Sequence, residues 1–258
     1  MRQEPYALGD SDLAAERLKV AARLFEPEMT RFIRDAAPPH PRVAVDLGCG
    51  PGYTTRLLHQ TSDAVLTVGV DRSQHFLGLA AESEPALRFL RHNLTAGPPP
   101  IAPADVVFCH LLLSHLPDPA RAIESWKSCM RPTGTILVDE VESIHTGDAV
   151  FVKYLSLVEA AIAGRGGELY VGRRLAAVRE LNGLRVRSNR IAQQTVAAKD
   201  AAAMFGMTFA TLREDPAVKA SASPSELAAL AGALHAKSRL DGQQPVTWSM
   251  RQAVFEHS

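Results

Sequence analysis

The chain has 258 residues, 46% of them hydrophobic, and its 28 basic and 28 acidic residues cancel to zero formal charge. That length suits one large α/β domain with additions, and the charge balance offers no overall basic surface for nucleic acid or an anionic membrane. No apolar run is long enough to span a bilayer, and the stretch from Met1 to Tyr6 lacks an apolar signal core. The three cysteines, Cys49, Cys109 and Cys129, lack C-x-x-C spacing and read as free thiols in a reducing compartment, with no metal site. A cytoplasmic protein is expected.

In chain order, Asp10-Ser11-Asp12 starts a helix with Leu13, Leu18, Ala21, Ala22 and Phe25 for its apolar face. Pro27 is placed to open a second helix carrying Met29, Phe32 and Ile33. Pro38, Pro39 and Pro41 then break the chain, so residues 1–38 read as a helical N-terminal extension. Val43-Ala44-Val45 is a strand end buried on both faces. It runs through Asp46 into Gly48-Cys49-Gly50-Pro51-Gly52 and a helix from Tyr53. Further strands are expected at 64–71, 87–90, 106–109 and 135–141, with helices near 73–83 and 120–130 between them. Strands alternating with helices at this pitch imply a parallel, doubly wound sheet with right-handed crossovers. Residues 148–163 and 168–182 read as helical, 186–196 and 246–255 as strands, and 198–240 as an alanine-rich helical insert. The core domain then spans 39–258.

Glycine at every second position lets the backbone turn sharply and a ligand approach without Cβ interference. A dinucleotide fingerprint needs glycine where Tyr53 stands. The carboxylate of Asp46 would repel a pyrophosphate at the helix N-terminus and instead suits a ligand carrying an ammonium and a sulfonium. Asp46-x-Gly48-x-Gly50-x-Gly52 resembles the first motif of class I S-adenosylmethionine-dependent methyltransferases. His110-Leu111-Leu112-Leu113-Ser114-His115-Leu116-Pro117-Asp118-Pro119 resembles the segment of ubiquinone/menaquinone-type small-molecule members ending in His-Leu-Pro-Asp-Pro. The resemblance is specific over roughly residues 40–142 and covers the rest by layout only.

The resemblance implies a Rossmann-like methyltransferase fold. Its sheet is seven-stranded and mostly parallel, with a last strand inserted antiparallel and the helical insert covering the substrate. It implies S-adenosylmethionine as cofactor, S-adenosylhomocysteine as product and a small organic acceptor methylated on O, N or C. No nucleic-acid or membrane partner is implied, and a homodimer is left open. The Asn/Asp-Pro-Pro-Tyr signature of enzymes acting on amide or amino nitrogens of DNA and protein is absent. The rival readings are an RNA or protein methyltransferase, a non-catalytic S-adenosylmethionine-binding protein and, more distantly, a nicotinamide-dependent reductase.

By the same resemblance, Asp71 accepts the ribose hydroxyls with Arg72 beside it, and the Asn93 side chain accepts from the adenine amino group. A backbone N–H at Leu94 reaches the ring, and the His110 carbonyl reaches the methionine ammonium. Tyr6 and Arg17 lie over the cofactor, the guanidinium holding a carboxylate. Ligands collect at the carboxyl ends of parallel strands, which nominates His115, Glu140 and Glu142 for acid–base or acceptor-lining roles. Arg185, Arg187 and Arg190 read as a solvated strand face, and Trp248 with Met250 as core. Met204, Phe205, Met207 and Phe209 read as either the wall of an apolar pocket or the inner face of a lid helix.

Overall fold

A computed structural model describes residues 8–258; Tyr6 lies outside the described residues. The chain begins with helix α1 (Asp12–Ala36), where the Ser11 side chain accepts from the Ala14 N–H. One continuous helix replaces the two expected around Pro27. Pro27 sits on the exposed side of α1, where the hydrogen bond it forfeits can be replaced by water. Phe25 and Met29, on either side of it, are anchored in the core.

Strand β1 (Val43–Leu47), helix α2 (Tyr53–Ser62), strand β2 (Leu66–Asp71), helix α3 (Gln74–Ser83) and strand β3 (Arg88–Arg91) form the first half. Strand β4 (Ala104–His110), helix α4 (Pro119–Trp126) and strand β5 (Met130–His145) follow. Strand β5 is 16 residues long, starting before and ending after the expected 135–141, because it gains a second partner strand along its far edge.

Helix α5 (Ala149–Ala163) is followed by a four-residue helix α6 (Gly172–Leu175) and a two-residue strand β6 (Glu180–Leu181), where a helix was expected over 168–182. Gly166 and Gly183, both at positive φ, flank that segment. Strand β7 (Leu184–Val196) leads into helices α7 (Ala198–Leu212), α8 (Pro216–Ser221) and α9 (Pro224–Lys237), and strand β8 (Val246–His257) closes the chain. A capping box between Ser223 and Glu226 opens α9.

The sheet has eight strands in the order β3-β2-β1-β4-β5-β8-β7-β6, the short β6 being the addition to the expected seven. The first five are parallel, and β8 runs antiparallel between β5 and β7. One face packs Phe108, Leu137 and Trp248 against α1, α5 and α7. The other packs Val107, Ile136, Val138 and Phe255 with Trp126. The order reverses at β1, flanked by β2 and β4, so a crevice forms at the carboxyl ends of β1 and β4. Among the described residues, no helix is long and apolar enough to cross a membrane.

Candidate active site

The crevice is built first by the turn after β1. Gly48, Gly50 and Gly52 have φ of 75°, 51° and 86°, in the left-handed region that favours glycine. A Cβ at Gly48 would meet Leu112 Cδ1 at 2.9 Å, and one at Gly52 would meet Ala80 at 3.0 Å. A Cβ at Gly50 would touch only Leu18 Cδ1, at 3.3 Å, so this glycine leaves its room to the cavity. The loop is pinned from outside: the Gly48 and Cys49 N–H groups donate to the Val70 carbonyl, and the Gly50 N–H donates to Asp71 Oδ2 at 2.9 Å.

Asp46 stands behind this loop rather than at the cavity wall. Its Oδ2 accepts from the hydroxyls of Thr54 and Thr55, both at 2.7 Å, which fixes the first turn of α2. Burial raises its carboxyl to about 6 against these hydrogen bonds, and its charge acts on the cavity through the loop. Asp71, buried at the end of β2, does line the cavity, and its Oδ1 accepts from the Ser73 N–H at 2.8 Å.

Beyond the glycine loop lies a cavity of about 190 Å³. Its walls come from α1 (Arg17, Leu18, Ala21, Phe25), the end of β4 (His110 to Leu112), and α5 and α7 (Tyr154, Leu155, Val158, Ile162, Met204, Phe205). Trp248 closes it from β8. Met204 and Phe205 are thus wall residues, Phe209 is buried core and Met207 is not at the wall. The indole of Trp248 lies 5.7 Å from both the Phe25 and Phe205 rings, so the residue expected as plain core is part of the wall. A smaller cleft opens beside the loop, lined by Asp71, Arg72, Asn93, Leu94, Leu112 and His115. Asn93 reaches this cleft, but its Oδ1 accepts from the Thr95 N–H and hydroxyl at 3.1 and 2.9 Å. The acceptor expected to face an adenine amino group therefore closes its own turn.

Arg17 faces the cavity from α1, with its Nε buried and without a hydrogen-bond partner among the described residues. Burial lowers its pKa from the ordinary arginine value, opposed by Tyr154. A buried guanidinium in an apolar wall fits a carboxylate ligand. Tyr154 stacks on Phe205 at 4.3 Å, and burial pushes its phenol up to about 12, so it stays protonated.

Of the three strand-end candidates, only His115 borders the cavities. Burial, then the cations of Arg17, Arg72 and Arg165, push it down to about 4, so it is a neutral imidazole near pH 7. Glu140 is not at the wall. Its Oε1 accepts from the Leu112 and Leu113 N–H groups, both at 2.7 Å, and so pins the turn after β4. This turn needs pinning, because Leu111 sits at a φ of 54°. Burial raises Glu140 to about 7. Glu142 is also off the wall, held by the Arg251 guanidinium on β8, while its carbonyl accepts from Arg173 Nε at 3.0 Å. Both glutamates share the face of β5 that turns away from the cavity, whereas Val141, between them, lines it.

His110 lines the cavity with its ring, not only its backbone: Nδ1 lies 2.9 Å from Asp139 Oδ2. Sequence reading missed Asp139, Tyr154 and Phe25. The parity of β5 and the register of a strand beside His110 are the signals that would have found Asp139.

Residues 45–138 match the methyltransferase domain family. The chain is 34% identical over 118 residues to a trans-aconitate 2-methyltransferase of Azoarcus sp. (strain BH72), covering 44% of this chain and 46% of that protein. It is 32% identical over 144 residues to the same-named protein of Rhizobium leguminosarum bv. trifolii (strain WSM2304), covering 54% of each. The chain thus spans about half the length of the curated relatives it matches. Among solved structures, a putative methyltransferase from Bacillus halodurans C-125 aligns with TM-score 0.57 at 13% identity, covering 89% of this chain and 98% of that one. A methyltransferase from Thiobacillus denitrificans, in complex with S-adenosylhomocysteine, aligns with TM-score 0.53 at 18% identity, covering 90% and 92%. The [4+2]-cyclase SpnF shares the fold as well, with TM-score 0.54 at 16% identity over 89% of this chain and 80% of that one. The fold therefore does not dictate the reaction. The matched segment, the glycine loop and the sheet order together make residues 45–138 similar to a methyltransferase domain set in the fold that the aligned methyltransferases share.

Proposed function

We propose that the protein transfers a methyl group from S-adenosylmethionine to a small organic acceptor. The observation that carries this reading is the junction of two unlike spaces. A glycine-floored, acid-flanked loop opens directly into a partly covered, mostly apolar cavity. The residues present fit the cofactor. Gly50 leaves open the room a Cβ would fill, Asp71 at the end of β2 offers a carboxylate to ribose hydroxyls, and Arg17, whose Nε has no hydrogen-bond partner among the described residues, offers a cation to the methionine carboxylate. Leu94 and Arg72 line the side cleft suited to the adenine. When bound, S-adenosylmethionine supplies a methyl group already activated on a sulfonium.

The chain's own residues then contribute position and dryness. Helices α1, α5 and α7 hold the acceptor against the end of β4 and exclude water, the kind of orientation that lowers barriers by up to roughly 7–11 kcal/mol. The partly covered cavity favours a small acceptor over RNA or a protein segment, and helix α1 and the insert at 198–240 act as its covering elements. The named relatives suggest an acidic acceptor. Arg17, however, is the single Arg or Lys lining the larger cavity among the described residues. That favours a less charged molecule than trans-aconitate. The reading places the enzyme in the cytoplasm. Incubation with S-adenosylmethionine and a panel of trans-aconitate, phenols and amines, with S-adenosylhomocysteine release followed by mass spectrometry, tests it. Acceptor-dependent release from at least one compound class is expected, and acceptor-independent traces across the whole panel would contradict it.

A further inference from the structure

Under α1 a polar row crosses the sheet. The register sets His110 opposite Asp139, Asp139 opposite Gln252, and Gln252 opposite Arg190. His110 Nδ1 meets Asp139 Oδ2 at 2.9 Å, and Arg190 Nε donates to Gln252 Oε1 at 3.1 Å. At the far end Arg190 reaches Asp35 of α1 at 3.5 Å. Asp139 and Gln252 are 2% and 0% exposed amid an apolar core, where polar side chains cost stability unless their hydrogen bonds are satisfied. Asp139 Oδ1 and Gln252 Nε2, an acceptor and a donor on directly opposed residues, have no hydrogen-bond partner among the described residues. Packing does not account for this row.

Its inner end does suggest an account. With Asp139 accepting from Nδ1–H, the lone pair of His110 rests on Nε2, which has no hydrogen-bond partner among the described residues. The ring is held parallel to Phe108 and tilted against Phe25, and it lines the cavity. Because β1 pairs Leu47 with Cys109, His110 stands directly beside Gly48, where the glycine loop meets the acceptor space. The alternatives are poorer bases: His115 binds a proton only near pH 4, and Glu140 and Glu142 face away.

We propose that His110, oriented by Asp139, is the general base of this site and that the acceptor is an aromatic hydroxyl. The proposal rests on the methyl-transfer reading above. A carboxylate acceptor has no proton to lose and needs no base. An imidazole can take the proton of an aliphatic alcohol only in concert with attack, and that proton is held more tightly than a phenol's. A phenol, with a pKa of about 10 against about 6.5 for histidine, is within reach of one. Phe25, Phe205 and Trp248 supply the flat apolar walls an aromatic ring requires. The acceptor O–H proton passes to His110 Nε2 while an oxygen lone pair forms the O–CH3 bond. The S–CH3 bond breaks with its electron pair left on sulfur. The products are the methyl ether, a neutral thioether and an imidazolium paired with Asp139, which then gives its proton to solvent.

The test uses 4-nitrophenol, whose phenol and phenolate forms absorb differently, with native protein, His110→Gln and Asp139→Asn. Calorimetry with S-adenosylhomocysteine comes first: binding to native protein upholds the methyl-transfer reading, and its absence ends both that reading and the present proposal. With S-adenosylhomocysteine bound, and at a pH where the free probe is un-ionised, native protein should bind 4-nitrophenol largely as phenolate. His110→Gln should bind it un-ionised, with unchanged S-adenosylhomocysteine affinity. Turnover of the probe at saturating S-adenosylmethionine should fall by about 10²–10⁴-fold in His110→Gln. Asp139→Asn, which keeps size and leaves His110 in place, should lower kcat more than it raises KM, and it serves if the first variant fails to fold. Ionisation of bound probe undiminished in both variants overturns the proposal. So does methylation of trans-aconitate with no turnover of any phenol, and either result leaves the methyl-transfer reading standing.

Discussion

Replacing Glu140 separates an anchor from a base. Its Oε1 satisfies two buried backbone donors, and a buried donor left without an acceptor costs about 1–3 kcal/mol. Glu140→Ala should therefore destabilise the fold by about 2–6 kcal/mol at low pH, with the turn around Leu111 loosened. The cost should shrink at higher pH. The folded carboxyl keeps its proton to about 7 and an unfolded one only to about 4.5, so folding takes up a proton between them. Stability from this group is complete below about 4.5 and is lost as pH rises through about 7. The loss amounts to about 3 kcal/mol, to order of magnitude. Glu140→Gln keeps a carbonyl for both donors without that titration. It should equal native protein at low pH and gain on it as pH rises. Urea unfolding of the three proteins at several pH values, read with S-adenosylhomocysteine affinity and turnover, is the assay. A Glu140→Gln protein that folds and binds normally but has lost turnover would refute the anchor assignment and restore Glu140 as a catalytic acid or base.

Other outcomes follow from the same geometry. Asp71→Ala should weaken S-adenosylmethionine binding by about 1.5–3 kcal/mol, the value of a hydrogen bond to a charged group, while acceptor KM stays nearly unchanged; isothermal titration reads the first and initial rates the second. Arg17→Met should weaken S-adenosylmethionine binding, and a matched loss for decarboxylated S-adenosylmethionine would show that the guanidinium does not serve the carboxylate. The His115 ring should titrate near 4 by NMR, and titration in the usual histidine range would contradict its burial beside Arg17, Arg72 and Arg165. Phe205→Ala should cost about 3–5 kcal/mol of stability and enlarge the acceptor space, seen as altered acceptor KM with S-adenosylmethionine affinity retained.

The first half of the fold was legible because its signals are local. Apolar runs ending in Asp46 and Asp71, with glycine at alternate positions between strand and helix, specify a strand–loop–helix unit without reference to distant residues. The site beyond it depends on pairings that sequence does not display. Glu140 and Glu142 share a face by their spacing, as expected. Which face turns to the cavity is decided by packing against α1 and α5, and it is the face of Asp139 and Val141. Trp248 joins the wall because β8 runs antiparallel, which carries its early residues to the edge where the parallel strands end. Asp46 was recognisable as part of the loop. Its neighbours Thr54 and Thr55 were read only as helix, and they decide that it braces the loop from behind.

The central claim is that the Gly48–Gly52 loop receives S-adenosylmethionine, and calorimetric titration of S-adenosylhomocysteine into native protein and Gly50→Val tests it most directly. A Cβ at Gly50 would occupy the cavity side of the loop, near Leu18, at a φ of 51° that valine rarely adopts. Saturable one-to-one binding to native protein, abolished in a Gly50→Val protein that still folds, is the predicted result. Equal affinity in both proteins, or binding of NAD in place of S-adenosylhomocysteine, would contradict the account.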